Sequence, residues 1–188
     1  MRPIIAVDLA TKFSAGIVLD QHGDFVSQWD SYGWKHSQVA QQIFTDYTAL
    51  RDAYIDAPPL VVIEDVPPRN LPNLRGVLQL QGRILQVFGK YGDDLYWVPP
   101  ALWQHEMGVF GATDGETAKR AAEFGYEPPD LVEMRGLKRG ERGYGTAIRE
   151  ADKQATDYVD AFLIAMWARW TMERNQVWDL RVVRQYGV

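Results

Sequence analysis

The chain has 188 residues, of which 46% are hydrophobic and 12% aromatic, and this is enough apolar material for the core of one domain spanning 1–188. It has no cysteine, which excludes disulfides and thiolate metal sites and leaves only oxygen or imidazole as metal ligands. The net charge of -5 argues weakly against a nucleic-acid partner, and the lack of an apolar run of about 20 residues predicts a cytoplasmic protein without a membrane span.

Three short strands are predicted at the start of the chain. The stretch RPIIAVDLA is typical of a strand, with Asp8 at its end, and KFSAGIVLD is typical of a second. The turn QHGD leads to a third strand near DFVSQWD. Strands joined by such short turns form an antiparallel meander.

A helix and a buried strand come next. Apolar residues recur at three-to-four spacing in SQVAQQIFTDYTALRDAYIDA, which predicts an amphipathic helix that two prolines end. LVVIEDV is a continuous run rich in β-branched residues, as in a central strand buried on both faces. Glu64 stands at the end of this strand, as Asp8 does at the end of the first.

Helices and one more strand are predicted in the second half. A helix is expected over 72–89, then a strand LYWV and a helix opened by two prolines. Thr113 and Glu116 form a T-x-x-E capping box, which marks the start of another helix.

The last third combines a basic segment with a buried helix. Residues 127–150 are rich in proline, glycine and arginine, which predicts a mobile basic loop insertion. ATDYVDAFLIAMWA predicts a buried helix that ends near Asn175, and 176–188 would be a last strand or an arm for a partner. The elements together predict an α/β fold, a five-stranded mixed sheet of three antiparallel strands plus parallel strands, with helices on both faces.

The acidic residues have two interpretations. Asp157 and Asp160 share a helix face and repel each other unless a cation lies between them, although both would also be favoured at a helix N-terminus. If the first and fourth strands are neighbours and the last helix crosses their ends, both would converge with Asp8 and Glu64. Asp65 is an alternative to Glu64 as the functional acid at the end of this strand, but strand alternation favours Glu64.

Simpler roles remain open for single residues of this set. Asp8 could be a turn residue, and Glu64 could be paired with Arg69 or Arg83. Convergence, in contrast, would require divalent cations, because clustered carboxylates raise one another's pKa. Oxygen ligands favour Mg²⁺, with Mn²⁺ as a substitute, and two such ions about 3.5 to 4 Å apart hydrolyse phosphodiesters without a protein nucleophile.

The order of VDLATKFSAG, VVIEDV and ATDYVDAFLIA resembles the RuvC family of Holliday-junction resolvases, which have the ribonuclease H-like fold. The resemblance spans residues 4 to 170. In that family an aspartate ends the first strand, a glutamate ends the fourth, and a D-x-x-D lies on the last core helix. The resemblance gives the catalytic and metal-binding places to Asp8, Glu64, Asp157 and Asp160.

The resemblance implies a Mg²⁺-dependent endonuclease that resolves Holliday junctions or other branched DNA by paired nicks, as a homodimer. LQLQGRIL resembles the family's helix after the glutamate, and Lys119 matches a basic residue near the DNA phosphate. Positive charge is also concentrated in 69–92 and 134–149, each of which could equally be a solvated basic face. The predicted DNA-binding residues are Lys12, Arg69, Asn70, Arg75, Gln81, Arg83, Lys119, Arg135, Lys138, Arg139 and Arg142.

The sequence departs from the family pattern at several positions. Ala10 replaces a glycine, Pro67 and Pro68 stand where many relatives have an aromatic wedge, and Trp103 takes the place of a second lysine. These departures suit a divergent member, such as the short versions found in phage-type replication systems. Two other functions remain open: a nuclease of RNA/DNA hybrids or flaps, and a junction-binding protein without catalysis.

Overall fold

The computed structural model describes residues 1–10, 13–65, 71–136, 138–139 and 144–174. The strands are β1 (Ile4–Asp8), β2 (Ala15–Leu19), β3 (Phe25–Asp30), β4 (Leu60–Glu64) and β5 (Leu95–Val98). The helices are α1 (His36–Ala53), α2 (Leu71–Phe88), α3 (Pro100–Met107), α4 (Asp114–Glu123), α5 (Leu131–Met134) and α6 (Tyr144–Glu173), and a 3-10 segment covers Gly89–Asp94. None of the described helices combines the length and apolar character that a bilayer crossing requires.

The five strands form one sheet in the order β3-β2-β1-β4-β5. β1, β2 and β3 pair antiparallel, as expected for strands joined by short turns. β4 pairs parallel with β1 and with β5. Helix α1 lies in the connection that leads to β4, and helix α2 lies in the connection from β4 to β5. The prediction of a five-stranded mixed sheet is therefore confirmed.

Each face of the sheet is covered by helices, and strand alternation decides which residues meet which layer. Val7 and Ile63 belong to the core that includes Ile43 of α1. Ala6 and its neighbour Val62 on β4 belong to the opposite core, in which α6 packs across β1, β2 and β4. Asp8 and Glu64 continue the even-numbered series, so their side chains leave the strands on the α6 face.

Two helices in the middle of the chain begin close to their predicted positions. The helix expected over 72–89 is α2, and α4 begins directly after the predicted capping box. In that box the backbone N–H of Glu116 donates to the Thr113 hydroxyl, and the Glu116 carboxylate accepts from the Thr113 N–H.

The start of α6 corrects two expectations. Because α6 begins at Tyr144, Asp157 and Asp160 lie well inside a helix, and placing them at a helix N-terminus was wrong. The loop predicted over 127–150 is also shorter, since α5 and the first turns of α6 lie within it. Its mobility remains a prediction, and the segment 176–188 is outside the described residues.

Candidate active site

Asp8 and Glu64 end two adjacent parallel strands. Val7 pairs with Ile63 in the β1–β4 register, so the next residues leave the sheet side by side. Neighbouring strands are about 4.8 Å apart, which brings two side chains of one face into contact. The Asp8 side chain is buried, and its carboxyl group shares a hydrogen bond with that of Glu64.

Helix α6 brings Asp157 and Asp160 to the same place. The stripe that begins with these acids continues on the same helix face with Ile164 and Trp167, which are buried in the core under the sheet. The acids precede this apolar part, at the edge where β1 ends, and their charges act on the carboxyl group of Asp8. The structure thus brings the four carboxylates close enough for their charges to act on one another, and their catalytic and metal-binding roles remain a prediction.

The environment of this acidic pocket (Asp8, Glu64, Asp157 and Asp160) favours protonated carboxyl groups. Burial raises the pKa of Asp8 well above its usual value, and the charges of Glu64, Asp157 and Asp160 raise it further. Burial also raises the pKa of Glu64, although hydrogen bonds from Asp8 and Trp103 oppose this effect. The two carboxyl groups are in contact, so they titrate as a pair and the raised pKa belongs to the pair.

The pKa values of the two carboxyl groups on α6 are also raised. Burial raises the pKa of Asp157 to about 7, against the opposing charge of Lys153. Burial followed by the charges of Glu64 and Asp157 raises the pKa of Asp160 to about 8. The charge of Asp114, in the first turn of α4, adds to both increases. Asp114 is a member of this electrostatic site that was not predicted from the sequence, since no motif links it to the other acids.

The acidic pocket has little compensating charge. In the described part of the chain, no lysine or arginine forms an ion pair with any of its four carboxylates. Among the residues that the structure describes, no group of three or more Asp, Glu or His side chains is already arranged as a metal site. The donor set nevertheless fits a hard divalent cation, because it consists of carboxylate oxygens whose mutual repulsion a cation would remove.

Glu64 and the adjacent Asp65 face different partners. Glu64 contacts Asp8, whereas Asp65 accepts a long hydrogen bond of 3.4 Å from the Gln81 amide on α2. The expected alternative pairing of Glu64 with Arg83 is not formed, since the Arg83 guanidinium donates to Gln86. Of the two neighbouring acids, Glu64 is therefore the one that joins the acidic pocket.

Trp103 of α3 is the second partner of Glu64. Its indole Nε1 donates to Glu64 Oε1 at 3.0 Å, and the ring is completely buried. This contact was not predicted from the sequence, because the reach of an indole N–H across two elements leaves no sequence pattern.

The predicted DNA-binding residues divide into three groups. Five basic side chains are exposed: Arg75, Arg83, Lys119, Lys138 and Arg139. Four others, Lys12, Arg69, Asn70 and Arg142, lie outside the described residues. The last two, Gln81 and Arg135, are partly buried and bonded within the protein.

Arg135 is held by internal contacts. Its guanidinium donates to the side chain of Gln154 on α6, lies 3.9 Å from the Asp30 carboxylate and stacks 4.0 Å from the Tyr32 ring centroid. These contacts tie the segment after α5 to α6 and to the end of β3, which places Arg135 among the residues that support the fold.

The sheet order, together with helices on both faces and acids at the ends of the two central strands, defines the ribonuclease H-like fold. Among solved structures, the chain is similar to T. thermophilus RuvC in complex with a Holliday junction substrate, with a TM-score of 0.57 and 13% identity over 93% of this chain and 97% of that one. It is also similar to a Thermus thermophilus RuvC structure, with a TM-score of 0.55 and 14% identity over 92% and 96% of the two chains.

Sequence comparison adds no closer relationship. No family model matches the chain, and no curated protein matches it. At 13% to 14% identity, the likeness to RuvC shows the fold alone.

Proposed function

We propose that the protein is a divalent-metal-dependent endodeoxyribonuclease that nicks branched DNA, with four-way junctions as its preferred substrate. The observation that carries the proposal is the gathering of four carboxylates from β1, β4 and α6 into one pocket with no ion-pair partner among the described residues. The fold supports the substrate class, because one similar structure is a RuvC complex with a Holliday junction.

The acidic pocket would hold Mg²⁺, with Mn²⁺ as a substitute. The ligands would be Asp8, Glu64, Asp157 and Asp160, and the pair of Asp8 and Glu64 would release its proton when the cation binds. A bound divalent cation supplies the positive charge that stabilises a phosphodiester while its P–O bond is broken. The protein contributes the fixed spacing of β1 and β4 and the burial that strengthens each charge interaction.

Exposed basic side chains would hold the DNA phosphates. Lys119 lies on α4, the helix that also carries Asp114 beside the acidic pocket, and Lys138 and Arg139 follow α5. Contacts of this kind depend on charge and not on base identity, so little sequence readout is expected from them.

A second copy of the chain would complete the enzyme. Leu78 and Leu85 lie one heptad apart on α2 and are 54% and 53% exposed, although both are large and apolar. Two leucines at this spacing form a stripe on one side of a helix and suit pairing with the same stripe of another copy. A two-fold dimer would give two active sites for the two strands that a junction resolvase nicks.

The central test replaces one ligand without changing its shape. Asp8→Asn should leave junction binding intact and reduce Mg²⁺-dependent nicking by about 100-fold or more, because the amide cannot supply the missing charge. The matched control is Asp152→Asn, which makes the same change at an exposed residue of α6, and this variant should cleave like the wild type. Undiminished nicking by Asp8→Asn would contradict the proposal.

Substrate choice is tested with labelled DNA of defined shape. A four-way junction, a flap, an RNA/DNA hybrid and a linear duplex are compared over a Mg²⁺ titration. The proposal expects the junction to be cut fastest. Faster cutting of the hybrid or the flap would change the substrate assignment, and tight junction binding with no cleavage at any Mg²⁺ concentration would indicate a binding protein.

A further inference from the structure

Trp103 contacts the acidic pocket from inside the core. Its ring has no exposed surface and packs with residues of β1, β4 and α6, while its indole N–H donates to Glu64 Oε1 at 3.0 Å. The donor is also rigidly placed, since α3 begins directly after β5, which pairs with β4. The two ends of this hydrogen bond are thus fixed by neighbouring strands.

The hydrogen bond restricts Glu64 more than its strand position does. A glutamate side chain has three rotatable torsions, and anchoring of one carboxylate oxygen removes much of that freedom. Leaving a buried indole N–H without an acceptor destabilises the folded protein. The contact should therefore persist when neighbouring groups change. Trp103 thus occupies one oxygen of Glu64, and the Asp8 carboxyl group is the other partner of Glu64 in the metal-free protein.

We propose that Trp103 is a positioning residue that holds one oxygen of Glu64 so that the other oxygen is presented to a divalent cation in the acidic pocket. This inference rests on the proposed function. An indole N–H is neutral, so it orients the carboxylate and leaves the negative charge for the cation to neutralise. Partners that orient a ligand in this way commonly change metal affinity by about 10-fold to 100-fold when they are removed.

The test removes the donor and keeps an aromatic ring. Trp103→Phe should weaken Mn²⁺ binding to the full-length protein by about 10-fold, measured by isothermal titration calorimetry without DNA. It should also raise the Mg²⁺ concentration for half-maximal nicking by a similar factor. Thermal denaturation of each variant without metal separates this effect from a loss of packing.

A second tryptophan provides a matched control. Trp29 Nε1 donates to Asp46 Oδ2 at 2.8 Å, which is the same kind of contact with an acid of α1 on the other side of the sheet. Trp29→Phe should lower the melting temperature and leave Mn²⁺ affinity unchanged. If Trp103→Phe lowers the melting temperature in the same way but binds Mn²⁺ like the wild type, Trp103 is a packing residue and the inference is wrong.

Failure of the proposed function gives a different result. Wild-type protein that neither binds Mn²⁺ nor nicks any substrate would overturn the metal-dependent nuclease and the inference together. Wild-type protein that binds Mn²⁺ while Trp103→Phe binds it equally well would overturn the inference alone.

A further measurement does not require Trp103→Phe to fold. The chain has seven tryptophans, whose indole N–H groups give separate signals in the NMR spectrum of ¹⁵N-labelled protein. The signal that moves in Glu64→Gln, where the acceptor loses its charge, should also move when Mg²⁺ is added to the wild type. If Mg²⁺ leaves that signal in place, or if Glu64→Gln moves no indole signal, Trp103 does not position a metal ligand.

Discussion

The carboxyl groups of Asp8 and Glu64 share a hydrogen bond, although two strands and a helix separate the residues along the chain. The contact forms because β1 and β4 are parallel neighbours and both residues follow the paired Val7 and Ile63. Two carboxyl groups in contact cannot both be ionised without a nearby cation. Because protons or a metal cation must offset the charge of this pair, the free energy of unfolding depends on the pH and on the metal concentration.

The first prediction concerns the stability of the metal-free protein. Asp157 and Asp160 have folded-state pKa values of about 7 and about 8, above their ordinary value of 3.8. An acid with a raised folded-state pKa binds its proton more tightly in the folded state, so its stabilising effect is present at low pH and is lost as the pH rises through 7 to 8. We expect the melting temperature in EDTA to fall between about pH 4 and pH 8 and to level off above pH 8, because the folded and unfolded states bind different numbers of protons only between the two pKa values.

Two controls identify the cause of this fall. Added Mg²⁺ should restore the melting temperature at the upper end of the range, because the cation replaces the protons. Asp160→Asn removes one buried charge and should be more stable than the wild type near pH 9 by about 2 kcal/mol in the absence of metal. A melting temperature that rises steadily over the same range would contradict the prediction.

The second prediction separates the two adjacent acids at the end of β4. Glu64→Gln should abolish nicking, because Glu64 is the acid that contacts Asp8. Asp65→Asn should keep activity within about 10-fold, since Asp65 accepts its side-chain hydrogen bond from Gln81 on α2. Nicking rates at saturating Mg²⁺ measure both effects. The reverse order of the two variants would make Asp65 the metal ligand.

The third prediction tests the proposed dimer. Leu85→Lys places a charge in the exposed stripe on α2 and should convert the protein to a monomer in sedimentation measurements. On a four-way junction the variant should release singly nicked products, because two sites no longer act together. Leu102→Lys, at another exposed leucine on α3, should leave the oligomeric state unchanged. A wild-type protein that is monomeric at all concentrations would contradict the dimer.

The sequence predicts the sheet and the contact between Asp8 and Glu64 well because both follow from strong local rules. β-branched runs and short turns define the strands, and residues at the ends of neighbouring parallel strands must meet at one edge. These rules are sufficient to bring Asp8 and Glu64 together. Their partner helix could be placed across them because its apolar stripe begins at Asp157 and Asp160.

Features that depend on tertiary contacts were not predictable in the same way. α6 begins at Tyr144 in a glycine-rich segment that predicts a loop, but Gly145 lies at the second helical residue, before the buried Ala151 and Gln154. Packing of these later residues against the core outweighs the weak local preference for helix. The charge of Asp114 and the indole of Trp103 reach the acidic pocket from separate elements, so no spacing in the sequence links them to it.

The last prediction concerns the basic surface after α5. Lys138 and Arg139 are exposed neighbours, and replacing both with alanine should weaken junction binding while leaving the folded structure unchanged. If each contacts one phosphate, the slope of log affinity against log salt concentration should become shallower by about 1 for each residue. The matched control is Arg51→Ala, since Arg51 lies in the last turn of α1, on the other side of the sheet from α6, and stacks on Tyr91. Binding measured by fluorescence anisotropy over a salt series checks both variants. An unchanged slope for the double variant would show that these side chains belong to a solvated face that DNA does not touch.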